Sequence, residues 1–145
     1  MHSAPPAVAR ILETSLYVAD LERSAAFYWR LFGFATLSAD DRLRALAVPG
    51  RGVLLLFRRG ASARQSALGF GTIPGHDGGG ALHLAFAIPP GSAAAWEAHL
   101  AALDIALESR VDWPQGATSL YFRDPDGHSV EVATPGLWAH DRPVR

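Results

Sequence analysis

Residues 119–132 read SLYFRDPDGHSVEV, two short alternating runs on either side of Asp124-Pro125-Asp126-Gly127. Pro125 pre-sets its own dihedral for a turn, and Gly127 can take the positive φ that a tight hairpin demands. The stretch therefore predicts a β-hairpin, with strands over 117–123 and 128–133. In its second strand Val130 and Val132 share the apolar face, and Ser129, Glu131 and Ala133 share the other. A carboxylate thus lies on the face opposite the one that would pack on helices.

Two earlier stretches repeat this arrangement. ILETSLYVAD (11–20) reads as a strand with Leu12, Leu16 and Val18 on one face and Glu13, Ser15 and Tyr17 on the other. ALHLAFAI (81–88) places Leu82, Leu84, Phe86 and Ile88 on its apolar face and His83, Ala85 and Ala87 opposite. A sheet with one wet face would give the same alternation and leave Glu13 as an ordinary solvated residue. Against that stand its small neighbours on the shared face, Ser15, Ala85, Ser129 and Ala133, which make a poor solvated surface and leave room for a ligand. If the two sheets curl toward a common groove, Glu13, His83 and Glu131 converge.

Working outward, the chain shows one order of elements twice. After the first strand, Asp20 is a candidate N-cap, and Ser24, Phe27, Tyr28, Leu31 and Phe32 keep helical spacing up to Gly33. Strands over 43–48 and 53–57 flank the turn PGRG, and 34–38 offers one more. In the second half, Ser92 is a candidate N-cap for a helix with Trp96, Leu100 and Leu103 on its buried stripe, and strands over 107–112, 117–123 and 128–133 follow. Aligning Glu13 with His83 sets Leu16 and Val18 on Phe86 and Ile88. The expected organisation is α+β: two βαβββ modules over 9–59 and 80–136, a Gly-rich, flap-like connection over 60–79 and a tail over 137–145. Trp138 in that tail is a candidate for packing on a neighbour.

Composition sets the outer bounds. The 145 residues are 49% hydrophobic and 19% charged, the balance of a single soluble globular domain. A net charge of -1, with no basic run, gives no electrostatic footprint for nucleic acid or an anionic membrane surface. No apolar stretch is long enough to span a bilayer and no signal peptide is evident, so the expected location is cytoplasmic. Cysteine is absent, which removes disulfides, thiolate nucleophiles and Cys-type zinc sites together. Any metal must be held by His, Asp or Glu.

The stretches LYVADLERSAAFYWRLFGF (16–34), LHLAF (82–86) and SLYFRDPDGHSVEV resemble the vicinal oxygen chelate superfamily, which holds glyoxalase I, fosfomycin-modifying enzymes, extradiol dioxygenases and bleomycin resistance proteins. The resemblance covers nearly the whole chain. It implies paired βαβββ modules forming a cupped mixed sheet around one divalent metal, with ligands on the first and last strands of modules. Three of the four equivalent positions fall on Glu13, His83 and Glu131. The fourth falls on Leu56 if Gly52 is matched to Gly127. Glyoxalase I uses all four positions, usually with His or Gln in place of Glu13, so the three-ligand pattern looks closer to the fosfomycin-modifying group, where the first ligand is nevertheless His. In glyoxalase I the carboxylate on the last strand doubles as proton acceptor, which implies the same role for Glu131.

The ligand set is chemically self-consistent. Two carboxylates crowded into a small groove repel, whereas a divalent cation with two Glu and one neutral imidazole is locally balanced. Three ligands leave coordination positions open for adjacent oxygens of a substrate, polarising a carbonyl and stabilising an enediolate. Such donors suit Mn, Fe, Ni or Zn about equally. Tyr121 and Arg123, on the strand face of Ser119, and Tyr17 beside Glu13 are candidates for orienting substrate, with ordinary outward-facing residues as the competing reading. His128 reads as a surface or turn residue, His76 belongs to the connection, His99 to the second helix, and His2 and His140 to the termini; none is expected to be a primary ligand. The expected activity is that of a metal-dependent lyase, isomerase or transferase on a small molecule with vicinal oxygens. The alternative is a metal-free, ligand-sequestering protein of the bleomycin-resistance kind. The resemblance also implies a homodimer in which Glu13 can come from a different subunit than His83 and Glu131; a monomer pairing its own modules is equally compatible.

Overall fold

The computed structural model describes residues 2–141. Strand β1 (Glu13–Val18) leads into helix α1 (Leu21–Phe32). Asp20 stays extended, and its carboxylate accepts the Arg23 backbone N–H at 3.0 Å, satisfying one of the free donors of the first turn. Gly33 closes the helix at φ 73°, a left-handed conformation that costs glycine little, and its N–H reaches the Trp29 carbonyl. Strands β2 (Thr36–Ala39), β3 (Leu43–Val48) and β4 (Gly52–Arg58) complete a sheet in the order β1-β4-β3-β2, with β1 parallel to β4 and the other pairs antiparallel.

The second half repeats this plan. Strand β7 (His83–Ala87), helix α2 (Ala93–Ala102) and strands β8 (Ser109–Asp112), β9 (Thr118–Arg123) and β10 (Ser129–Ala133) form a sheet in the order β7-β10-β9-β8, again with one parallel pair, β7 and β10. Ser92 precedes α2, but its hydroxyl donates to the Pro89 carbonyl at 2.6 Å and caps nothing in the helix. Between the halves, the Gly-rich connection holds a short hairpin of β5 (Ser66–Leu68) and β6 (Gly71–Ile73), which its weak periodicity conceals. Among the described residues, no helix is long and apolar enough to cross a membrane.

Each sheet buries its aliphatic face. Leu16, Val18, Leu46, Leu54 and Leu56 pack with Leu21 and Tyr28 of α1, while Val130, Val132, Leu120 and Phe122 pack with Leu31 and Leu100. The cores meet at Phe32, whose ring centroid lies 4.8 Å from Phe34, 4.7 Å from Phe86 and 5.4 Å from Trp96.

The Asp124–Gly127 turn ties the modules together. Asp124 accepts the Tyr28 hydroxyl at 2.9 Å and the backbone N–H groups of Asp126 and His128. Asp126 accepts Ala19 N–H at 2.8 Å and the Ser24 hydroxyl at 3.0 Å, with Arg23 and Arg59 at 3.6 and 3.8 Å. His128 is not a surface residue: it is 1% exposed. Leu82 N–H donates to its Nδ1 at 3.0 Å, which leaves the proton on Nε2 to bond the Tyr17 carbonyl at 2.8 Å. A buried imidazole thus links the end of β1 to the approach of β7.

These contacts also orient the two edge strands. The Tyr17 end of β1 meets Leu82, ahead of β7, whereas Glu13 and Thr14 share a small cavity with Leu84, Ala85 and Phe86. Strands β1 and β7 therefore run alongside in opposite senses. Glu13 and His83, equivalent in the repeat, consequently lie toward opposite ends of the junction.

Candidate metal centre

Strand register fixes which side chains share the face away from the helices. In the second module His83 pairs with Ser129 and Ala85 with Glu131; in the first, Glu13 pairs with Val53 and Ser15 with Leu55. The position equivalent to Glu131 is therefore Leu55, not Leu56, which is fully buried on the helix side. Matching Gly52 to Gly127 slips the register by one residue and reverses the face. The true equivalent of Gly127 (φ 80°) is Arg51, at φ 63°. Leucine stands at the fourth position either way.

His83 and Glu131 meet. His83 Nε2 lies 3.2 Å from Glu131 Oε1. The other ring nitrogen, Nδ1, is 2.9 Å from the Ser129 carbonyl, an acceptor only, so Nδ1 carries a proton. In the neutral ring this turns the Nε2 lone pair toward a carboxylate oxygen, an arrangement that calls for a cation, either a second ring proton or a metal ion. Glu131 is 4% exposed, and its Oε2 is buried with no hydrogen-bond partner. A buried carboxylate oxygen left bare costs more than a paired one returns. A divalent cation fits these donors: a lone pair, a desolvated carboxylate and a backbone carbonyl holding the imidazole in the required tautomer.

Around this pair, Tyr121 stacks on His83 with centroids 6.2 Å apart, and burial together with the Glu131 carboxylate pushes its phenol above the usual tyrosine range. Ser119 is buried and accepts Trp113 Nε1–H at 2.9 Å. Arg123 is engaged elsewhere: it forks onto Glu108 at 2.7 and 3.1 Å and donates to the Gly127 carbonyl.

Glu13 stands apart. It is exposed at the start of β1, and no group of three His, Asp or Glu side chains among the described residues is close enough to share a metal. It lines a cavity of about 580 Å³ on the first module, together with Ser15, Tyr17, Leu55, Phe57 and residues of the connection. There Tyr17 Oη lies 2.7 Å from His76 Nδ1 and its ring stacks on Phe57. His76 is thus brought into the Glu13 cavity, which only its place in a flap-like segment hinted at. His99 instead bonds the Leu31 carbonyl at 2.9 Å.

Comparison with known proteins agrees with this topology. Residues 10–132 match the family model described as the Glyoxalase/Bleomycin resistance protein/Dioxygenase superfamily. A crystal structure of lactoylglutathione lyase from Agrobacterium tumefaciens superposes with a TM-score of 0.83 at 36% identity, covering 94% of this chain and 99% of that one. The fosfomycin resistance protein of Listeria monocytogenes shares the fold at 17% identity and a TM-score of 0.67, over 90% of this chain and 97% of its own. Catechol-2,3-dioxygenase of Bacillus subtilis (strain 168) is 28% identical over 134 residues, 88% of this chain, which spans only 43% of that relative's length. With its two mixed four-stranded sheets and the matched span, the chain belongs to the glyoxalase/bleomycin resistance protein/dioxygenase superfamily.

Proposed function

We propose that this protein is a metal-dependent enzyme, of lyase, isomerase or transferase type, acting on a small molecule with adjacent oxygen atoms. The observation that carries this reading is the His83–Glu131 pair, an imidazole nitrogen facing one carboxylate oxygen while the other oxygen is buried without a hydrogen-bond partner. Similarity to lactoylglutathione lyase supports lyase-type chemistry, and Leu55 in place of a fourth ligand separates this chain from a four-ligand centre.

Glu13 is the third ligand, supplied by a second copy of the chain. The opposed sense of β1 and β7 separates Glu13 from His83 within one chain, yet both lie open, His83 with a side chain 53% exposed. Beside Glu13, Ile11 and Leu12 are 79% and 58% exposed, apolar surface that a partner would cover. Closing the open face of the first module over that of the second creates two equivalent sites per homodimer.

A bound divalent cation would supply Lewis acidity toward the adjacent oxygens of the substrate. Glu131 would hold the cation through the oxygen that faces His83, and its carboxylate is the base in the site for a substrate proton. Tyr121 stacks beside the imidazole and leaves it open to a ligand.

Thermal melts of EDTA-stripped protein with added Mn, Ni, Fe(II) or Zn test this reading. At a free concentration of 100 Kd the binding metal is expected to add about 2.7 kcal/mol of stability. No response to any of them would instead favour a metal-free, ligand-sequestering protein.

A further inference from the structure

The cavity that holds Glu13 carries cationic side chains that a metal centre does not use. Arg42 rises from the start of β3, and Arg64 from the arm leading into β5. Arg42 Nε donates to the Ala61 carbonyl at 3.2 Å and its Nη1 to the Ser66 hydroxyl at 2.7 Å. Its guanidinium is therefore held in place with neutral partners, and its charge is not cancelled. Among the described residues, neither Arg42 nor Arg64 forms an ion pair. Two uncompensated guanidinium groups on the wall of one concave site are a recognition element for an anion, because a planar fork matches carboxylate and phosphate oxygens.

The arm is built to close this wall. An added Cβ on Gly75 would meet the Ala63 carbonyl oxygen at 2.4 Å, and one on Gly78 would meet the Tyr17 ring at 2.5 Å. Only glycine lets the backbone approach so closely. Ser62 adds a bond from its hydroxyl to the His76 carbonyl at 2.8 Å, and His76 N–H returns one to the Ser62 carbonyl. His76 and Tyr17 then complete the wall between the arginines and Glu13. The Asp77 carboxylate accepts its neighbour Gly78 N–H and is not part of the lining, so Glu13 is the one carboxylate among the described residues that line the cavity.

We infer that the chamber between the 60–79 arm and β1 binds an anionic group, carboxylate or phosphate, through Arg42 and Arg64, so that the substrate is a small anion whose neutral end reaches Glu13. This names the substrate class of the proposed enzyme and rests on that reading only for the role of Glu13; the arginine chamber stands without a metal.

The test therefore uses metal-free protein. EDTA-treated, ¹⁵N-labelled protein is titrated at constant ionic strength with inorganic phosphate, with succinate and with neutral succinamide, following amide and arginine Nε cross-peaks. Saturable shifts confined to residues 42–43, 62–66 and 73–76 are expected with phosphate, succinate or both, and none with succinamide. The anion that shifts them distinguishes a phosphate from a carboxylate ligand. Arg64→Met should weaken binding at least tenfold, and Arg42→Lys, which keeps the charge but loses the fork, should weaken it less. Arg30→Met, on the outer side of α1, should change nothing. Shifts scattered over the surface, equal shifts with succinamide, or full binding in Arg64→Met would overturn the inference. Absence of metal binding with intact anion binding would contradict the metal centre and leave the chamber in place.

Discussion

His83 Nε2 lies 3.2 Å from Glu131 Oε1 while its Nδ1 is committed to the Ser129 carbonyl, so the facing atoms are two acceptors whenever the ring is neutral. Glu131→Gln supplies an amide N–H to that lone pair at nearly unchanged volume. The apo protein is therefore expected to keep its stability within about 1 kcal/mol of wild type or gain slightly. Stabilisation by metal should disappear in the same variant. Urea denaturation with and without metal measures both, and a variant still stabilised by metal to the wild-type extent would remove Glu131 from the ligand set.

His128 joins the modules through two buried hydrogen bonds, from Leu82 N–H and to the Tyr17 carbonyl. His128→Ala leaves a buried donor and a buried acceptor unpaired and opens a cavity. A loss of about 2–4 kcal/mol is expected in urea denaturation. A loss below about 1 kcal/mol would show that water replaces the ring without penalty.

Tyr28 is fully buried with its hydroxyl on Asp124, and burial followed by the Asp124 carboxylate raises its pKa far above the ordinary tyrosine value. A phenol whose pKa is higher folded than unfolded contributes stability below the unfolded value, about 10. That contribution falls progressively as pH rises past 10. Tyr28→Phe should flatten this alkaline loss; Tyr121, raised by burial and Glu131, leaves a remainder of the same sign. Urea denaturation between pH 8 and 11 reads the slope, and identical slopes in both proteins would contradict the assignment.

Gly78 lies flat against the Tyr17 ring, where a methyl group cannot fit without moving it. Gly78→Ala is expected to part Tyr17 from His76 and to cost about 1–3 kcal/mol through overpacking. The loss of the 2.7 Å contact should appear as a change in the His76 ring resonances. Unchanged His76 resonances would show that the arm, not the ring, gives way.

Alternation and turn chemistry made most of the architecture legible. Asp20 and Gly33 bracket α1 because capping is a local property, and the Asp124–Gly127 turn forms as its residues dictate. Other features escaped. The β5–β6 hairpin is too short and Gly-rich to show a period. His128 looked like a turn residue because its partners, Leu82 and Tyr17, lie far away along the chain. Arg51 adopts a positive φ without being glycine, which hid the equivalence of Leu55 and Glu131. Sequence alternation placed Glu13, His83 and Glu131 on corresponding faces, but not the opposed sense of β1 and β7, which depends on module docking.

That separation sets the decisive measurement. Chains carrying Glu13→Gln and chains carrying Glu131→Gln are co-expressed with different tags and the mixed dimer isolated by tandem affinity. Each parent homodimer has lost a ligand from both of its sites. In the mixed dimer a shared site combines the intact first module of one chain with the intact second module of the other. About one tight metal ion per mixed dimer is expected, against none in either parent. A mixed dimer as empty as its parents, while wild type binds metal, would contradict assembly of the centre from two chains.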